Sequence, residues 1–166
     1  MKKAILMLAA AALWGCAGSR EQAQEAAAIG VGWMEPPAFR QPAYAGFAAV
    51  YDTVRPGEEF MELLRMLPPD ADCLVFLGTW CGDSRREVPR FLRIIEGGAF
   101  PAARARFYGL DRKRSSPGGF ERPFNIERVP TFVFLREGAE IGRIVETPLV
   151  SLEVDMLRIL AGGGTP

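Results

Sequence analysis

The chain contains no histidine, only three cysteines and no excess of either sign of charge. Without an imidazole, Cys–His and Ser–His activation of a nucleophile is excluded, and so are histidine metal ligands. Any reactive thiol must therefore be activated by other means. Lysine plus arginine equals aspartate plus glutamate at 20 each in 166 residues, so no net field draws the chain to nucleic acid, and none is expected as a partner. Three cysteines are too few for a disulfide-stapled scaffold. No internal repeat is present. With 49% hydrophobic and 24% charged residues, the composition supports one buried core with some additional sequence at an end.

Residues 1–16 read as a targeting segment: Lys2 and Lys3, an apolar run over residues 4–13, then Gly15 and Cys16. That run is too short to span a bilayer comfortably. Leu13-Trp14-Gly15-Cys16 resembles the bacterial lipobox, which implies cleavage before Cys16 and lipid attachment to it. Trp14 departs from the usual small residue there, and ordinary signal-peptide cleavage near Ala17 is the alternative. The expectation is a cell-envelope protein, anchored to the membrane by a lipid on Cys16 or, without the lipid, periplasmic or otherwise extracytoplasmic.

Residues 17–44 are alanine-rich, then proline-rich, with no sustained apolar period, and read as a tether on which Trp33 and Phe39 are positioned to dock on the domain. The domain is expected over residues 45–161, with a tail at 162–166. Residues 47–51 read as a first strand. Phe60, Leu63, Leu64 and Leu67 recur at helical spacing before Pro68 and Pro69. The continuous apolar run at 73–77 predicts a central strand buried on both faces. Val88, Phe91, Leu92 and Ile95 mark one face of a helix over 84–96 that carries Pro89 and stops at Gly97 and Gly98. A strand over 105–110, parallel to the central one, follows, and then an exposed connection over 113–123. Residues 131–135 and 141–145 predict an antiparallel hairpin, and 149–160 a closing helix. The class is α/β, with a mixed sheet flanked by helices.

The densest chemical signal is Thr79-Trp80-Cys81-Gly82-Asp83-Ser84, where the buried strand ends and a helix begins. First-turn amides and the helix dipole stabilise a thiolate at such a junction without any histidine, and Arg85 and Arg86 stand close enough in sequence to add to the effect. Gly82 is expected to permit a tight turn, and Trp80 to cover the sulfur from one side.

Trp80-Cys81-Gly82-Asp83-Ser84 resembles the Trp-Cys-Gly-x-Cys site of the thioredoxin family, with serine in place of the second cysteine. Pro89 matches that family's helix-kinking proline, Val129-Pro130-Thr131 its cis-proline loop, and residues 132–138 its last hairpin. The resemblance spans residues 47–160. It implies a thioredoxin-like fold in which Trp80, Cys81 and Ser84 form the reactive site, the Ser84 hydroxyl donates to the sulfur, and Val129, Pro130 and Thr131 hold an extended substrate. Val75 stands where thioredoxins carry a buried aspartate, so both parts of the second redox step are missing. Cys73 is expected to be an inert core residue.

The implied function is thiol–disulfide exchange through Cys81 alone, of the reductase or isomerase type, with no metal or other cofactor. Its partners would be cysteine-containing envelope proteins or small-molecule thiols. Two rivals are a redox-inactive thioredoxin-fold module that captures peptides at Pro130, and a protein that resembles the monothiol glutaredoxins and holds an iron–sulfur cluster with glutathione.

Overall fold

The computed structural model describes residues 29–166. The segment read as a signal peptide, Cys16 and most of the tether lie outside them. Five strands form one sheet: β1 Gly32–Met34, β2 Ala71–Leu77, β3 Ala105–Gly109, β4 Thr131–Arg136 and β5 Ala139–Val145. Their order is β1-β3-β2-β4-β5, which puts β2 at the centre. β2 runs parallel to β3 and antiparallel to β4, while β1–β3 and β4–β5 are antiparallel. The sheet is therefore mixed, as expected. The α-helices are α1 Ala45–Thr53, α2 Glu58–Arg65, α3 Gly82–Glu96 and α4 Leu152–Arg158.

Side chains of β2 alternate between two cores. Cys73, Val75 and Leu77 join Phe107, Phe132 and Phe134 in a large cluster that also holds Phe47, Leu64, Phe91 and Met156, one from each helix. Leu74 and Phe76 point the other way, to Tyr108, Val133, Phe120, Phe124 and Ile126. The α-helices of the described residues thus contribute to one core, while the second is roofed by the connection between β3 and β4. The sequence predicts an exposed connection there, with at most a short helix. Instead it buries Ser116 and Glu121 and stacks Phe120 and Phe124 near Phe76, with ring centroids 6.0 and 5.1 Å away. Its helical content is one 3-10 turn, Arg122–Phe124.

Two expectations near the start of the domain are corrected. Residues 47–51 are not a strand but part of α1, and the buried pair Phe47 and Tyr51 is spaced four apart, one helical turn. The expected tether also ends earlier than Tyr44. β1 pairs with β3 over Gly32–Met34, and Phe39, 1% exposed, packs against Phe47 and Phe107. Trp33 does dock, edge-on to Tyr108 and tilted against Phe120. Gly109 makes this possible: a Cβ there would lie 2.2 Å from the Gly30 carbonyl oxygen, so only glycine lets the incoming backbone pass.

Glu121 ties the aromatic roof down. Its carboxylate accepts from the Ser116 hydroxyl at 2.6 Å and the Ser116 N–H at 3.3 Å, and the same hydroxyl meets Tyr108 Oη at 2.9 Å. Burial works to raise the Glu121 pKa, but the hydrogen bonds, chiefly from Ser116, and the neighbouring Arg122 outweigh it and leave the group below its ordinary value. A carboxyl depressed by folding stabilises the native state above its unfolded pKa of about 4.3, and that contribution disappears as pH falls through the folded value. Glu121→Gln should therefore cost about 1–3 kcal/mol at pH 7, and the deficit should shrink as pH drops to 3. Denaturant unfolding of both proteins across that range measures it; a deficit independent of pH would contradict the assignment.

Candidate functional site

The site forms where β2 leaves the sheet. Burial on both faces fixes the end of β2, and the chain reverses over residues 78–81, closed by a hydrogen bond from Cys81 N–H to the Gly78 carbonyl at 2.9 Å. Cys81 is the N-cap of the 15-residue helix α3, with extended backbone (φ −87°, ψ 131°), and its carbonyl accepts from Arg85 N–H. Its side chain is half-buried. The sulfur thus lies at the positive end of a long helix, on a rigid support.

Trp80 is pinned beside it. The indole Nε1 donates to the Leu110 carbonyl at 3.0 Å, just past the end of β3. The ring folds back over Gly78, where a Cβ would lie 2.7 Å from Cε2 of the indole. The glycine this turn requires is therefore Gly78. Gly82, expected to fill that role, has no positive φ, and a Cβ on it would meet nothing.

The Val129–Pro130 peptide bond is cis, and the loop lies against the thiol: Cys81 Sγ donates to the Val129 carbonyl at 3.1 Å. The Pro130 carbonyl accepts from Glu146 N–H at 2.7 Å, which ties the loop to the end of β5. Sequence-distant residues 81, 129 and 130 are thus brought together. Thr131 is not presented to a ligand. It is 1% exposed, sits in β4 and donates its hydroxyl to the Arg128 carbonyl at 2.7 Å.

Ser84 departs from expectation in a different way. Its hydroxyl is fully buried and accepts from Gly78 N–H at 3.1 Å, and no hydrogen bond joins it to the Cys81 sulfur. The serine therefore satisfies a buried amide at the strand end, which fastens α3 to the turn. The arginines also differ from the reading that both act on the sulfur. Arg86 is answered by two carboxylates, Asp83 at 2.9 Å and Glu87 at 2.7 Å, whereas Arg85 donates from Nε to the Thr79 carbonyl at 3.1 Å. Sequence reasoning missed three contributors. The Leu110 carbonyl holds the indole, Gly30 N–H donates to Thr79 Oγ1 at 3.0 Å, and the Arg112 guanidinium stands 5.6 Å from the Trp80 ring centroid. Only Gly78, following a buried run, left a trace in the sequence.

Cys73 is fully buried in β2, and burial, aided by the neighbouring Asp72 carboxylate, pushes its thiol well above the ordinary value. Val75 is likewise sealed in the large core, against Phe107 and Phe132 in the register of the sheet. Among the described residues no group of three or more His, Cys, Asp or Glu side chains is arranged to hold a metal ion, and no helix is long and apolar enough to cross a membrane.

No protein-family model matches the chain. The thioredoxin-like protein R548 of Acanthamoeba polyphaga mimivirus is 32% identical over 78 residues, 47% of this chain, and the chain spans 54% of that protein's length. Among solved structures, the protein of unknown function PA1234 from Pseudomonas aeruginosa aligns with 78% of this chain and 81% of its own, with TM-score 0.55 and 16% identity, a likeness of fold alone. Mitochondrial thioredoxin 3 from Saccharomyces cerevisiae, in its oxidised form, is 25% identical over 58% of this chain and 86% of its own, with TM-score 0.35. The fold is thioredoxin-like, a mixed five-stranded sheet with a cis-proline loop, and the chain shares a 78-residue likeness with a thioredoxin-like protein.

The two thiols of the described residues should behave oppositely. Iodoacetamide should label Cys81 in the native protein, and Cys73 slower by on the order of a hundredfold or more, because its exposure requires opening of the central strand. Comparing Cys73→Ala with Cys81→Ala by mass spectrometry separates the rates, and equal native labelling would contradict this account.

Proposed function

We propose that the protein carries out thiol–disulfide exchange through Cys81 alone, on cysteine-containing proteins of the cell envelope. The Cys81 thiolate attacks one sulfur of a substrate disulfide and forms a mixed disulfide, and the other substrate sulfur leaves as a thiolate. A second thiol, on the substrate or free in solution, then attacks the mixed disulfide. The reaction type is that of a reductase or isomerase, with no cofactor.

One observation carries this reading: a half-exposed thiol at the start of α3, bonded to the Val129 carbonyl, has no second thiol in reach among the described residues. Cys73 is separated from the C-terminal end of β2 by about 13 Å of strand at 3.3 Å per residue, whereas a disulfide needs Cα atoms within about 7 Å. A substrate peptide would pair with the main chain of the Val129–Pro130 loop, as in strand addition, by displacing the bond that joins the buried Val129 carbonyl to Cys81 Sγ. The likeness to a thioredoxin-like protein is a further support.

Ser84→Cys tests the mechanism. Residues three apart in a helix have Cβ atoms about 5–6 Å apart, and modest adjustment brings them within disulfide reach. The variant should clear a mixed disulfide at Cys81 by intramolecular attack, on the order of a hundredfold faster than the natural protein in the absence of added thiol. It should also lose about 1–3 kcal/mol of stability, because the buried Gly78 N–H exchanges a hydroxyl acceptor for a weak sulfur one. Adduct mass against time is the readout. An unchanged adduct lifetime would overturn the placement of residue 84, and failure of Cys81 to form any adduct would favour the peptide-capturing module.

For location, we propose that Cys16 becomes the mature N-terminus and carries the lipid anchor. Intact mass of membrane-extracted protein should show acyl chains on Cys16, and Cys16→Ser should release the protein into the soluble fraction. A soluble natural product that begins at Ala17 or later would refute this.

A further inference from the structure

Next to Trp80, the residue before Cys81, lies a cleft of about 210 Å3 whose wall includes Tyr44, Gly46, Thr79, Trp80, Arg85 and Arg112 but not Cys81 itself. Among the described residues no aspartate or glutamate lines it. Arg85 spends only its Nε on the Thr79 carbonyl, and Arg112 reaches over the face of Trp80. Neither forms an ion pair among the described residues, in contrast to Arg86 next in sequence, which has two. Two guanidinium groups with no facing carboxylate among the described residues give the cleft a positive potential, and their planar forks match a carboxylate in geometry. Trp80 joins this cleft to the reactive residue: its ring forms part of the wall, it is fixed by Leu110, and the next residue is Cys81. Val129 and Pro130 do not line the cleft, so it is separate from the cis-proline loop.

Building on thiol exchange at Cys81, we infer that the Arg85–Arg112 cleft binds a carboxylate carried by the thiol partner of Cys81, and so selects acidic thiols. The entering thiolate attacks Sγ of Cys81 in the mixed disulfide and expels the substrate sulfur as a thiolate. A second molecule of the acidic thiol attacks the outer sulfur, frees the Cys81 thiolate and departs as a symmetrical disulfide. Two thiols are oxidised and one substrate disulfide is reduced, so the electrons balance. The carboxylate has two possible sources, a small acidic thiol and an acidic residue beside a substrate cysteine, and one experiment separates them.

The full chain bearing Cys16→Ser is loaded at Cys81 with 2-mercaptoethanol and challenged at low salt with reduced glutathione or with glutathione diethyl ester, which keeps the thiol and loses both carboxylates. Each rate is divided by that of the same thiol on hydroxyethyl disulfide, which removes intrinsic differences in thiol reactivity. In a parallel arm, a blocked peptide with glutamates beside one cysteine is compared with its glutamine counterpart. Glutathione, the glutamate peptide, or both should exceed the neutral partner by roughly threefold to fivefold, and the preference should vanish in Arg85→Gln/Arg112→Gln and fade in 0.5 M salt. A preference confined to glutathione identifies a small-molecule source, and one confined to the peptide identifies a protein source. Ratios of one in both arms, or a preference that survives the double variant, overturn the inference while the exchange reaction stands. Failure to load Cys81 at all defeats the exchange reading first and this inference with it.

Discussion

β2 is hydrogen-bonded along both edges and excluded from water on both faces, and the position of the reactive sulfur follows from that double constraint. A strand held by two neighbours and two cores cannot slide or tilt without breaking ladder bonds and exposing aromatic surface. Its last residue therefore delivers Gly78 to one point, and the turn from Gly78 to Cys81 starts α3 there. Ser84 closes the arrangement, since its hydroxyl on the Gly78 amide locks the first turn of the helix to the strand it follows. The residue that replaces a redox partner thus has a positive structural role, and the site is rigid without a second sulfur.

The two faces of the sheet are built by different means. The four α-helices of the described residues feed the large core, where leucine, methionine and phenylalanine at helical spacing meet the odd-numbered residues of β2. The other face is covered by residues 111–128, which have one short 3-10 turn and rely on Phe120 and Phe124 for apolar area. An irregular roof has many backbone groups to satisfy, and side chains meet part of that demand. Asp111 accepts from the N–H groups of Lys113 and Ser115, and Glu121 from Ser116. Two acidic side chains thereby hold the roof whose near end carries the Leu110 carbonyl that pins Trp80.

How much of this was legible in the sequence depended on whether the information was local. The central strand, α3, the hairpin and the closing helix carry their own period, and the cis-proline loop carries its own tripeptide. Residues 47–51 misled because Phe-Ala-Ala-Val-Tyr is apolar at nearly every position, so neither a period of two nor of 3.6 stands out. The deciding fact, that Phe47 packs on Phe39 while Tyr51 lies against Arg93 and Glu96 of α3, is tertiary. β1 was illegible for a related reason: three residues cannot display alternation, and its pairing depends on Gly109, 75 or more residues away, lacking a side chain. At the site, Cys81 and Trp80 could be read from their neighbours, but the direction of the Ser84 hydroxyl and the reach of Arg112 are set by contacts with Gly78 and the Trp80 face that no local pattern encodes.

The charges around Cys81 also differ from a reading by sequence proximity. Arg86, nearer Asp83 and Glu87 than any other cation, is consumed by them, so it adds little field at the sulfur. Arg112, 31 residues away in sequence, is brought to the tryptophan by the end of β3 and has no carboxylate facing it among the described residues. Positive charge left uncompensated beside a reactive group acts on whatever approaches that group, more than on the stability of the fold. Because Arg85 and Arg112 are solvent-exposed, the effect on any one encounter is modest and falls with salt. Discrimination between thiols of similar reactivity requires only such a modest difference, since exchange at a lone cysteine is decided by which external thiol arrives next.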